Sequence, residues 1–65
     1  MSQLSAKAEA VLTYANAHKI DGFAEIGDDI GLPDHVVISA CRELKSAGCI
    51  SDFEENEESV EYIRF

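Results

Sequence analysis

A chain of 65 residues has room for one domain and a small core, because at this length folding buries only about 60% of the surface that the unfolded chain exposes. Apolar residues at 46% against 28% charged residues exclude an unfolded, highly charged chain. No apolar run approaches the roughly 18 residues of a membrane span, and no basic-then-apolar leader follows Met1, so no membrane partner and a cytoplasmic location are expected.

The first predicted helix covers about residues 5–18. Leu4, Ala8, Val11, Leu12 and Ala15 fall on one face at helical spacing. The alanines between Ala6 and Ala17 lose no side-chain entropy in a helix. Ser5, or alternatively Ser2, is the N-cap candidate. His18 and Lys19 sit at the C-terminal end, where positive charge suits the helix dipole. Tyr14 lies beside the apolar stripe.

Ile20 to Phe23 alternates apolar and polar residues, and Asp21-Gly22 supplies a turn or cap. A two-turn helix is predicted over about 23–30, with Phe23, Ile26 and Ile30 directed inward and Gly31 ending it. Pro33 then preorganises a third helix over about 34–47, with Val37, Ala40, Cys41 and Leu44 as its buried stripe and Gly48 as its end. The remainder, about 49–65, reads as a hairpin. Ile50, Phe53, Val60, Tyr62 and Phe65 cluster there, around a loop from Glu54 to Ser59.

This order resembles the winged helix-turn-helix family over nearly the whole chain. The resemblance rests on Ile26-Gly27, Ile30-Gly31-Leu32, Val37, Ala40, Leu44 and Gly48-Cys49-Ile50. It implies a mainly α fold of three helices with a C-terminal two-stranded wing, and a third helix whose outward side chains meet a ligand. Those outward positions are Asp34, His35, Val36, Ile38, Ser39 and Arg42, with Lys45 and Ser46 further along.

Charge argues against the DNA-binding task that the resemblance suggests. Residues 49–65 hold six acids and one base, whereas residues 1–48 hold seven acids and four bases, giving −8 in total. Glu54, Glu55, Glu57 and Glu58 stand where a wing would grip phosphate with cations. Each like-charge pair about 7 Å apart costs roughly 0.6 kcal/mol in water before screening. The expected function is therefore a non-enzymatic adaptor or regulator. It would bind a protein partner with a basic surface through His35, Val36, Ile38, Ser39 and Arg42, or act as a DNA mimic. The alternative is a sequence-specific transcriptional regulator reading DNA through His35, Ser39, Arg42 and Lys45, and a homodimer is compatible with either reading.

Catalysis and cofactor binding find little support. Asp28-Asp29 are neighbours that do not face each other on a helix, and Glu57-Glu58 fall in a loop that cannot hold acid–base geometry. No base stands at a spacing that would activate Ser39, and no glycine-rich phosphate loop is present. Cys41 and Cys49, with His18 and His35, form no close ligand pair, so no metal is expected. Both cysteines are expected to act as small apolar residues.

Overall fold

The computed structural model describes residues 4–26, 30–57 and 59–65. It contains α1 (Ala6–Ala17), β1 (Phe23–Glu25), α2 (Asp34–Ser46), β2 (Asp52–Glu55) and β3 (Val60–Arg64). The three strands form one antiparallel sheet in the order β1-β3-β2. Both helices pack against each other and against the sheet, so the core lies between a helical layer and a β layer.

Ser5 caps α1 as expected. Its backbone is extended, and its hydroxyl accepts a hydrogen bond from the Ala8 amide at 3.2 Å. The cap has a tertiary partner, because the Glu43 carboxylate on α2 accepts from the Ser5 amide at 2.7 Å and from its hydroxyl at 3.0 Å. One acid thus ties the helices together and places negative charge at the positive end of α1. At the other end, His18 Nδ1 donates to the Tyr14 carbonyl at 2.8 Å, and the two rings stack with centroids 4.0 Å apart.

α2 begins after Pro33 and ends at a left-handed glycine, Gly48, with φ 80°. The Cys49 amide reaches back to the Leu44 carbonyl at 2.9 Å and the Gly48 amide to Lys45 at 3.1 Å, satisfying carbonyls that the helix end leaves open. The expected stripe is the one that is buried: Val37, Ala40, Cys41 and Leu44. The α1 stripe also lies on the core side, with Ala8, Val11 and Ala15 buried and Leu4 and Leu12 partly so.

The sheet corrects the expected architecture. Two helices and a three-stranded antiparallel sheet replace the three helices and two-stranded wing. The predicted helix over 23–30 is not formed as such, because its first turn is β1; residues 27–29, including Gly27 and the Asp28-Asp29 pair, lie outside the described residues. The cause is local. Asp21 and Gly22 both take positive φ, 51° and 89°, and Ile20 and Phe23 exchange two backbone hydrogen bonds of 2.7 and 3.0 Å. This is the two-residue hairpin turn that Asp-Gly favours, and its twist sends the chain out extended. β1 then pairs with β3 in the register Phe23–Arg64, Ala24–Ile63 and Glu25–Tyr62. Ala24 and Ile26 point into the core, whereas Phe23 and Glu25 point out. The segment follows period two rather than the helical period of 3.6.

β2 runs further than expected, so Glu54 and Glu55 belong to the strand rather than the loop. The turn beyond it is closed by Asn56, whose amide donates to the Ser59 carbonyl and whose side-chain oxygen accepts from the Ser59 amide, both at 2.8 Å. Pairing slips between Glu54–Tyr62 and Glu55–Val60, leaving Glu61 as an extra residue on β3. That bulge reverses the alternation. Val60 is therefore buried with Ile63 while Glu61 is exposed.

Candidate functional site

The expected contact surface lies on α2, and helix geometry divides it. His35, Ser39 and Arg42 are exposed and run along the outermost line of the helix. Val36 and Ile38 are half-buried on opposite flanks, since two residues two apart differ by about 200° around a helix. Ile38 packs against the core. Val36 instead faces α1, where it borders a groove of about 290 Å³ formed with Ser5, Lys7, His35, Ser39 and Glu43 over the buried Ala40. The five residues therefore form a polar ridge with an apolar edge on each side, rather than one dry patch.

His35 lies one turn before Ser39 and Glu43 one turn after it along that groove, which corrects the expectation that no base stands at a suitable spacing from Ser39, but the three are not ordered as a catalytic triad. Serine stands between the other two, and the ends are separated by about 12 Å of helix rise. Both carboxylate oxygens of Glu43 accept hydrogen bonds from Ser5. Cys41 is buried, and desolvation pushes its thiol up to about 11, so it stays protonated in the core. Cys49 departs from expectation: it is exposed and no part of the core. Among the described residues no three His, Cys, Asp or Glu side chains form a metal-binding group, and no helix is long and apolar enough to cross a membrane.

Most of the basic side chains already have partners within the chain. Lys45 Nζ lies 3.1 Å from the Asp52 carboxylate. The Phe53 amide, then Lys45, holds that carboxyl below its usual range. Lys19 lies over the Phe65 ring at 4.9 Å, and Arg64 over Tyr62 at 5.6 Å. Arg42 remains on the α2 ridge, with Lys7 across the groove. Three of the four acids of the expected loop are among the described residues. Glu54 and Glu55 are exposed on β2 and Glu57 is exposed in the turn, while Glu58 lies outside the described residues.

A second surface escaped the sequence reading. Ile20 is 68% exposed and Phe23, expected to point inward, is 39% exposed. The Asp-Gly turn places them side by side on the outer face of the sheet, where Phe23 meets Tyr62 edge-on at 5.9 Å. The signal was present in the sequence: Asp-Gly between two apolar residues is a strong hairpin pattern, and pairs across such a turn share one face.

No family model matches the chain, and no curated protein or solved structure matches it either.

Proposed function

We propose that this chain is a non-enzymatic adaptor that binds a protein partner through the outward face of α2. The observation carrying this reading is the ridge of His35, Ser39 and Arg42 beside a groove that admits a partner side chain between Val36 and Lys7. A polar line flanked by half-covered apolar edges suits a protein surface, where a few anchored side chains supply most of the affinity. The net charge of −8 steers the chain toward partners of net basic charge and away from polyanions. Duplex DNA fits less well because Lys45 is already paired with Asp52 and the sheet side is acidic.

The test is affinity capture from nuclease-treated lysate, comparing the wild-type chain with Ser39→Arg and Arg42→Glu. Both positions are exposed, so the far-UV dichroism should not change. A protein retained by wild type and lost by both variants is expected, whereas identical retention by all three removes α2 as the contact. Binding of mixed duplex DNA at about 50 mM salt that disappears with Arg42→Glu would replace this reading with the DNA-binding one.

A further inference from the structure

We propose that the outer face of the sheet is a second docking surface, and that its occupant is a basic peptide segment carrying an apolar side chain between cations. This does not rest on the α2 reading, because the two surfaces lie on opposite sides of the core.

The apolar centre is built by the Asp-Gly turn. Ile20 and Phe23 are the exposed large hydrophobic residues among those described. The mutual backbone bonds of Ile20 and Phe23 hold them as a cross-turn pair, and Tyr62 extends the patch onto β3. The rim is anionic. Across the sheet, Glu25, Tyr62 and Glu54 stand in one row, so two carboxylates flank the aromatic ring roughly 10 Å apart, two strand spacings. Both are exposed, and neither is in an ion pair among the described residues. Arg64 is the cation of this face: its guanidinium lies over the Tyr62 ring and donates to the Tyr62 hydroxyl at 3.3 Å, and its charge also feels Glu54 and Asp52, so the carboxylates of the face outnumber it.

Charge selects the occupant. A second copy would bring another −8 against the same carboxylates, and anionic lipid or nucleic acid would meet the same repulsion. A segment with two cations about 10 Å apart and an apolar side chain between them matches the row and the patch together. It would lie on the face rather than add a strand to β2. The Asp52 carboxylate already accepts from the Phe53 amide at 2.9 Å and pairs with Lys45, which shields that edge as charged edge strands commonly are.

The test uses an amidated peptide of Lys-Leu-Ser repeats, with Glu-Leu-Ser and Lys-Ser-Ser repeats as controls. Amide shifts of the whole 65-residue chain are followed by NMR. The Lys-Leu-Ser peptide should shift Gly22 to Glu25 and Tyr62 to Arg64. Glu25→Lys combined with Glu54→Lys should weaken it at least about fivefold, given the modest strength of each exposed ion pair, and Ile20→Ser should weaken it several-fold. Ser39→Arg should leave this binding unchanged, which separates its failure from that of the α2 surface. The proposal is overturned if the Lys-Ser-Ser peptide binds equally well, if shifts are absent or map elsewhere, or if the face is instead occupied by a second copy in sedimentation or by phosphatidylserine vesicles.

Discussion

Burial of the Cys41 thiol makes the stability of the fold depend on pH. The thiol titrates near 11 in the fold against 9.0 for an unburied thiol, so between those values the unfolded chain has lost a proton that the native chain keeps. Stability should fall as pH rises through that window, by on the order of 2–3 kcal/mol at its upper end. Denaturant unfolding between pH 8 and about 11 should show the descent in wild type and a shallower one in Cys41→Ala. A thiol reagent at neutral pH should label Cys49 quickly and Cys41 only on the timescale of unfolding.

Individual elements depend on contacts that link distant parts of the chain. The two hydrogen bonds from Ser5 to Glu43 join α1 to α2. Glu43→Ala should therefore lower stability by about 1–2 kcal/mol, through a weakened cap and an unopposed helix dipole. A double-mutant cycle with Ser5→Ala should return a coupling energy above about 0.5 kcal/mol, and strict additivity would show that the bonds contribute nothing to α1. At the Asp-Gly turn, Gly22 has open space around a would-be Cβ but a φ of 89°. Gly22→Val should thus be destabilising by about 1–2 kcal/mol through backbone strain alone, and amide exchange should accelerate first in β1.

The same turn marks where the sequence stopped being sufficient. Both long elements were legible: Ser5, Pro33 and Gly48 punctuate them, and the α2 stripe was identified residue for residue. β1 was not, because Phe23, Ile26 and Ile30 satisfy a helical spacing while Ala24 and Ile26 satisfy an extended one. In a segment this short the two periods cannot be separated. Pairing with β3, about 40 residues later in the chain, decides between them. The outer sheet surface follows from β1, since the helical spacing directs Phe23 inward and leaves Ile20 in a short connecting piece until the strand is known. The α2 ridge was legible because an amphipathic helix displays its outward face in the sequence.

For the molecule as a whole, charge and size act together. A Cα radius of gyration of 10.4 Å is close to the roughly 11 Å expected for a compact chain of this length, so the net charge of −8 is confined to a small volume. Self-repulsion should therefore be relieved by salt. Raising sodium chloride from about 0.02 to 0.5 M shortens the screening length several-fold and should raise the melting temperature, with a smaller rise in the Glu54→Gln, Glu57→Gln variant. A melting temperature that falls with salt would show that attractive pairs such as Lys45–Asp52 outweigh repulsion.

The order of the strands carries a consequence for assembly. β3 comes after β1 and β2 in the chain yet lies between them, so as the polypeptide leaves the ribosome neither neighbour has anything to join until Val60 and beyond emerge. Up to that moment the nascent chain can form helical turns and the local Ile20–Phe23 turn but not the sheet, and completing the fold awaits contacts between residues about 40 apart. A nascent chain arrested before Val60 would be expected to leave Ala24, Ile26 and Phe53 without their partner strand and open to quality-control proteases.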